Sequence, residues 1–211
     1  MQVRGGRLLA TGLLAAALVT LAGCEFLYFA QGKGSQPAMY TLPKNARVLV
    51  FVDPRPHTRM SPELVTALGE GIGQHLYTYQ AADRFVAQQR LIALRRDGDA
   101  FGKMGIADIA RACEADVVIH VDVRQYKVVT SEDAQVAEGG AETVVKVVDA
   151  NGERLFPAQP NEGVGVIAQV GTALTDHRSV ADAEREMIAL LKVRTGRIFH
   201  KWDVEDKELN K

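Results

Sequence analysis

The sequence has little cysteine, no excess of positive charge and no long apolar run after residue 30. Its two cysteines, Cys24 and Cys113, exclude a framework of several disulfides. The formal net charge is −1. Proteins that bind nucleic acids normally carry a basic excess, so we expect no nucleic-acid partner. No segment after residue 30 is long and apolar enough for a membrane-spanning helix. The stability of the chain must therefore come from side-chain packing.

The N-terminal segment has the pattern of a lipoprotein signal peptide. Two arginines precede an apolar run over residues 8–21, which has the length of a signal-peptide core and is short for a membrane-spanning helix. The run ends in Leu21-Ala22-Gly23-Cys24, which resembles the lipobox of bacterial lipoproteins. This resemblance implies cleavage before Cys24, diacylation of its sulfur and acylation of its new amino group. We therefore expect residues 1–23 to be a signal peptide and Cys24 to anchor the protein in a membrane. An uncleaved anchor helix is the alternative.

The mature chain is predicted to be a tether followed by one domain. Residues 24–45 are expected to form a flexible, lipid-anchored tether, since residues 30–45 are rich in glycine, serine and proline. From residue 46 on, segments typical of strands and helices alternate, so we predict a single α/β domain over residues 46–211. It should contain a mixed sheet of about four to five strands packed with three to four helices, in two layers or three.

Local patterns predict several of the elements. Residues 47–53 are apolar on both faces, which is typical of a strand buried within a sheet. Ser61-Pro62-Glu63 predicts the start of a helix. Residues 116–126 alternate like a strand, with Val117 and Val123 on one face and Tyr126 on the other. The acidic, glycine-containing segment 131–142 is interpreted as a loop.

Further elements are predicted in the remaining segments. Residues 84–88 are a short strand candidate, and Ser179 with Asp182 predicts a capping box for the last helix. The apolar stripe of that helix extends to about residue 202, with a possible interruption at Gly196.

Three segments resemble one superfamily of bacterial envelope proteins. They are residues 84–91 (RFVAQQRL), 107–123 (ADIARACEADVVIHVDV) and 144–156 (VVKVVDANGERLF). The superfamily includes the curli secretion lipoprotein CsgG, the penicillin-binding-protein activator LpoB, the Pel polysaccharide lipoprotein PelC and the N-terminal domain of TolB. Glu114 and His120 stand where the superfamily usually has glycine. The resemblance implies a domain that binds other envelope proteins or assembles into rings. Because no pair of long alternating segments is evident, the compact members resembling LpoB or PelC are favoured over the secretion channel.

Two groups of side chains are candidate binding residues. Arg55, His57 and Arg59 lie between the first strand and the first helix, where cationic groups would suit a carboxylate, a phosphate or an acidic partner. His120, Asp122 and Arg124 alternate along one strand, so successive side chains share a face about 7 Å apart. The simpler interpretations are a solvated loop for the first group and the polar face of a half-buried strand for the second.

The sequence predicts no metal site and no catalytic arrangement. His120 and Asp122 are two potential ligands, whereas a zinc site needs three or four. A hydrolase would use the same two residues, but no serine or cysteine nucleophile is placed with them. Residues 163–168 fit a G-x-G-x-x-A nucleotide-binding pattern but follow a loop instead of a strand. We therefore expect a protein that is not an enzyme and needs no cofactor.

One function and one alternative follow from these patterns. We expect a non-catalytic binding or assembly module, anchored to the outer membrane and facing the periplasm, whose partner is a cell-wall synthase or a secretion component. Outer-membrane sorting is favoured because Glu25 follows Cys24 in place of the aspartate that retains many lipoproteins at the inner membrane in some bacteria. The alternative is a homo-oligomeric, ring-forming component of an export or polysaccharide-secretion assembly.

Overall fold

The computed structural model describes residues 34–131, 136–158, 162–171 and 179–203. The predicted signal peptide, Cys24 and the first part of the tether lie outside these residues. The chain divides into two units. In the smaller unit, Ser35–Gln36 pairs antiparallel with Trp202–Asp203. The larger unit, Pro37–Lys201, contains the elements that are numbered below.

The larger unit has a five-stranded mixed sheet. In chain order its elements are β1 (Val48–Pro54), α1 (Pro62–Thr78), α2 (Gln88–Arg95), α3 (Gly98–Phe101), α4 (Ile106–Ala112), β2 (Val117–Ser131), β3 (Val136–Asp149), β4 (Arg154–Phe156), β5 (Val164–Val170) and α5 (Val180–Gly196). Strand β1 pairs parallel with β2, and β2 pairs antiparallel with β3. Both β4 and β5 pair antiparallel with β3. The predicted α/β class is confirmed.

Helices pack on both faces of the sheet, which gives three layers. On one face, α1 and α5 bury Leu68, Ile72 and Leu191 against strand residues such as Ile119. On the other face, Leu91 of α2 and residues of α4 pack on Phe51 and its neighbours. Within the described residues there are five helices, against the three to four predicted. The shortest of them, α3, begins after Asp97, whose side chain accepts a hydrogen bond from the Ala100 amide. None of these helices has the length and apolar character needed to cross a membrane.

Both predicted caps are present. The Ser61 hydroxyl accepts a hydrogen bond from the Leu64 amide at 3.3 Å and starts α1. At the start of α5, the Asp182 amide donates to the Ser179 hydroxyl at 3.2 Å, and the Ser179 amide donates to the Asp182 carboxylate at 3.0 Å. These bonds satisfy backbone donors that a helix leaves unpaired in its first turn, so side chains next to each helix fix where it begins.

The interpretation of residues 131–142 as a loop is wrong for most of that segment. Strands β2 and β3 have 15 and 14 residues and pair from Val117 and Asp149 out to Ser131 and Val136. They form the pair of long strands that the sequence alone does not reveal. Acidic residues and glycines disfavour strands locally, but the last part of this segment, residues 139–142, is paired with β2 on one side and β5 on the other.

The predicted facing of Tyr126 is also wrong. The pairing of β2 with β3 changes register between Val123 and Gln125, which leaves Arg124 as the extra residue of a β-bulge. The bulge resets the alternation, so Tyr126 lies on the same face as Val117 and Val123 and is buried in the core under α1 and α5.

Three boundaries differ from the sequence prediction. The strand candidate at residues 84–88 is reduced to a single bridge between Val48 and Phe85. Helix α5 ends at Gly196 and does not continue to residue 202. Residues assigned to the tether also contact the domain: the Met39 and Tyr40 amides donate to the Ile198 carbonyl at 2.8 and 3.0 Å, and Leu42 is 3% exposed.

Glu114 adopts a backbone conformation that favours glycine. Its φ is 56°, in the left-handed region that glycine enters at no steric cost. The Glu114 carboxylate lies 3.0 Å from the Arg90 guanidinium and 3.5 Å from that of Arg47. The tight turn after α4 is thus formed by a glutamate, whose side chain makes exposed ion pairs.

Candidate functional site

The end of β1, where it lies beside the middle of the parallel strand β2, brings the two predicted groups of binding residues together. Asp53 and Asp122 are in register across this pair of strands, and Arg55 follows directly after β1. The Arg55 Nε and Nη2 atoms donate to the two carboxylate oxygens of Asp122 at 3.1 and 2.9 Å. This two-point geometry fixes the orientation of both groups. Residues 67 positions apart in the chain therefore form one ion pair.

The bulge residue Arg124 extends the ion pair into a network. Its Nε donates to Asp122 at 3.4 Å, and its Nη2 lies 2.5 Å from a carboxylate oxygen of Glu162. The His57 Nε2 donates to the Arg124 carbonyl at 2.9 Å. We call Arg55, His57, Asp122, Arg124 and Glu162 the strand-end cluster. It joins the loop after β1, the bulge of β2 and the segment before β5.

The charged groups of the strand-end cluster stabilise one another in their ionised forms. Partial burial alone would raise the pKa of Asp122. The hydrogen bonds and charges of Arg55 and Arg124 outweigh that effect, so the pKa of Asp122 lies below its ordinary value. The pKa of Arg55 is raised by its hydrogen bond to the same carboxylate. At neutral pH both groups are therefore ionised, and the cluster presents fixed charges of both signs.

We expect Asp122→Asn to destabilise the fold by about 1–2 kcal/mol at pH 7, because Arg55 and Arg124 lose their shared counter-charge. The folded-state pKa of Asp122 is depressed, so its stabilisation is present above the ordinary carboxyl pKa and is lost as the pH falls through the lower folded value. Urea unfolding measured from neutral to acidic pH should show the two proteins converging below about pH 4. Asp83→Asn, at an exposed aspartate, is the control and should leave stability unchanged. An unchanged stability for Asp122→Asn at pH 7 would contradict the expectation.

The remaining predicted residues do not join this cluster. Arg59 is exposed on the loop after β1. His120 is 5% exposed, its ring packs 5.2 Å from that of Phe51, and its Nε2 donates to Asp53 at 3.1 Å. The His120–Asp122 pair that a hydrolase would use is not formed, because Asp122 is engaged by the arginines. Among the described residues, no group of three or more histidine, cysteine or acidic side chains could hold a metal ion.

Sequence reasoning missed one member of the cluster, Glu162, and one residue beside it, Asp53. Glu162 lies before β5, where no motif marked it, and Asp53 matters because the parallel register places it beside Asp122. The signal for Asp53 was its position at the end of a buried strand, since polar residues at the ends of neighbouring parallel strands come together at one edge of a sheet.

Next to the cluster, part of one sheet face is covered by no helix among the residues that the structure describes. Helices α2 and α4 cover this face only around Leu49, Phe51 and Val118. Beyond them, the paired residues of β2, β3 and β5 expose side chains on the same side of the sheet. We call this surface the open face; it contains Gln125, Lys127, Val129, Glu142, Ile167 and Gln169. Val129 is 41% and Ile167 56% exposed.

No protein-family model matches the chain, and no curated protein matches its sequence. Solved structures with a similar fold include a hypothetical protein from Chlamydia trachomatis, at 15% identity and a TM-score of 0.40, covering 73% of this chain and 91% of that one. The dodecamer of a single-substitution variant of PelC from Paraburkholderia phytofirmans has 13% identity and a TM-score of 0.43, with 79% and 96% covered. A lipoprotein from Neisseria meningitidis has 11% identity and a TM-score of 0.39, with 59% and 81% covered. These values are too low to assign a family or to transfer a function.

Proposed function

We propose that the chain is a lipid-anchored envelope protein whose larger unit binds another protein of the envelope without catalysing a reaction. The observation that carries this proposal is the open face beside the strand-end cluster. No helix in the described part of the chain covers Val129 or Ile167, whereas α2 and α4 pack around Phe51 on the same side of the sheet. Exposed apolar side chains surrounded by polar ones are typical of a surface that binds a protein partner.

The chemistry of the open face fits a protein partner better than a small molecule. Its depression of about 850 Å³ is shallow and lined by both charged and apolar groups, including Lys127, Glu142 and Ile167. Strands hold these side chains in place, and the ion pairs of the strand-end cluster fix the adjacent arginines. Such rigid presentation lowers the entropy that is lost on binding. Arginine is also enriched among the residues that contribute most to protein interfaces.

The anchor would determine where this binding occurs. The lipobox-like Leu21–Cys24 segment supports a lipid on Cys24, and Glu25 supports the outer membrane, facing the periplasm. The partner would then be a cell-wall synthase or a secretion component held close to that membrane.

Crosslinked capture from living cells tests this proposal. A photoreactive residue replaces the exposed Lys127 in the full-length protein, which is then purified and its crosslinked partners identified. We compare Ile167→Lys, on the open face, with Ile92→Lys, on the exposed side of α2. Because both isoleucines are exposed, neither change should unfold the protein. We expect Ile167→Lys to reduce the crosslinked partner at least about tenfold, since a lysine in an apolar contact costs more than 1.4 kcal/mol. Ile92→Lys should leave it unchanged. Equal yields from the two variants would contradict the proposal.

A second candidate function is self-assembly into a ring, and the free edge of β2 favours it. Strand β1 ends at Pro54, opposite Val123, so in the described chain no strand pairs with residues 125–131 on that side. An unpaired strand edge can pair with another chain through its backbone. In the capture experiment this function would appear as a ladder of crosslinked copies of this protein, whereas a binding module would yield a different chain.

A further inference from the structure

A buried pair of histidines joins the end of α1 to the turn that follows α5. The Nε2 atoms of His75 and His200 lie 2.9 Å apart, and the two residues are 8% and 7% exposed. The ring of Tyr79 stacks on that of His200, with ring centroids 4.1 Å apart and an angle of 9° between the planes. A Cβ atom at Gly196 would lie 2.1 Å from the His75 ring, so α5 leaves room for this ring only because position 196 is glycine.

The hydrogen bonds determine which nitrogen carries each proton. The His200 Nδ1 lies 2.8 Å from the Lys201 carbonyl, which can only accept, so Nδ1 donates. In the neutral pair the His200 Nε2 therefore accepts, and the His75 Nε2 donates to it. A proton added to the His200 Nε2 would set two N–H groups against each other unless His75 moved its own proton to Nδ1. A proton added to His75 would place a cation among positive groups.

The turn held by this pair also holds the segment that enters the domain. The Ile198 carbonyl accepts hydrogen bonds from the Met39 and Tyr40 amides. The Tyr40 ring lies edge-on to Phe199 in the same turn, with centroids 6.5 Å apart. Release of the turn would therefore remove two backbone hydrogen bonds and one aromatic contact from the segment at residues 39–42.

We propose that the His75–His200 pair is an acid-sensitive latch, which holds the Met39 and Tyr40 backbone on the turn after α5 at neutral pH and releases it when the pair takes up a proton. The latch goes beyond the binding function proposed above, because it requires neither the open face nor a partner.

The surroundings of the pair favour the neutral form. Burial, together with the neighbouring His200 and the charges of Lys192 and Arg197, lowers the pKa of His75 to about 4. In the released state the pKa should return to its ordinary value of about 6.5. The pKa of His75 is lower in the closed state of the latch than in the released state. The closed state is therefore favoured at neutral pH and is increasingly opposed as the pH falls from about 6.5 towards 4. Linkage with these two values makes opening about 30-fold more favourable at pH 5 than at pH 7.5.

Amide hydrogen exchange on the full-length protein in detergent tests the latch. Protection factors, which correct for the effect of pH on intrinsic exchange, are compared at about pH 7.5 and about pH 5. We expect protection at Met39 and Tyr40 to fall by about 30-fold at the lower pH, while amides of β1 keep theirs. A fall of less than about threefold would overturn the proposal, as would an equal fall throughout the domain.

Two variants separate the latch from general effects of acid. His75→Gln keeps a donor and an acceptor towards His200 but does not titrate, so its protection at Met39 should lose most of its pH dependence. Asp83→Asn, which removes an exposed titratable group outside the pair, should behave like the unchanged protein. If His75→Gln fails to fold, a direct NMR titration of the His75 ring decides, and a pKa near 6.5 in the folded protein would overturn the proposal.

Discussion

Replacing Gly163 with alanine is expected to destabilise the fold by about 3 kcal/mol. Gly163 has a φ of 137°, which side-chain-bearing residues rarely adopt. A Cβ atom there would lie 2.5 Å from a methyl carbon of Val144 and 2.7 Å from the Val145 carbonyl oxygen. Val145 is paired with Val121 on one side and Val164 on the other, so its backbone cannot move without disturbing the middle of the sheet.

Gly165→Ala is the matched control for this change. Gly165 lies two positions further along the chain, within β5, and a Cβ atom there would meet no heavy atom within 4 Å. We expect alanine at this position to be neutral or to stabilise by up to about 1 kcal/mol, since it reduces the freedom of the unfolded chain. Urea unfolding of the two variants measures the difference. Equal stabilities for Gly163→Ala and Gly165→Ala would show that the close approach to β3 is not as tight as the structure indicates.

The same two glycines show what sequence reasoning reaches and what it does not. The spacing of Gly163 and Gly165 fits a nucleotide-binding pattern, and the missing strand before it was enough to reject that interpretation. Glycine is required at position 163 because this residue lies against β3. That contact exists only because β5 pairs with β3. Elements marked by local chemistry were predictable, such as β1 with its continuous apolar residues and α1 with its Ser61 cap.

The long β2–β3 pair was not predictable, because its outer half is stabilised by tertiary contacts. Gly139 is a poor strand former, but it allows α5 to approach closely: a Cβ atom there would lie 2.6 Å from the end of Met187. The bulge at Arg124 has no sequence signal of its own, and a strict two-residue alternation therefore misplaces Tyr126. Pairing on both sides of a strand outweighs local propensity.

The two groups of residues in the candidate site could be predicted from the sequence, but the contact between them could not. Arg55 and Asp122 were both identified, one as part of a loop and the other as part of a strand face, but nothing in either segment indicates the other. Their contact depends on β1 and β2 lying side by side and parallel, with Asp53 opposite Asp122. Sequence patterns identify charged groups at strand ends, whereas strand order decides which of those groups become partners.

Replacing Cys24 with alanine is expected to transfer the protein from the membrane fraction to the soluble fraction. The lipobox-like sequence implies three acyl chains on Cys24, and each buried methylene contributes about 0.8 kcal/mol to membrane binding. A single chain already gives measurable binding, so three make dissociation negligible during fractionation. Within the described residues no helix could replace the anchor by crossing the membrane.

The Cys24→Ala variant must carry a signal peptide whose cleavage does not depend on a cysteine at position 24. Otherwise the uncleaved apolar segment 8–21 would itself hold the chain at the membrane. With such a leader, we expect the ratio of membrane-bound to soluble protein to fall at least about tenfold. Cys113→Ala with the natural leader is the control: this buried cysteine packs on Leu49 and its neighbours, so its loss should leave the protein on the membrane. Membrane association of the Cys24→Ala chain that persists in high salt would place the anchor elsewhere. Release by high salt would instead indicate electrostatic binding to anionic lipids, which salt screens and an acyl anchor resists.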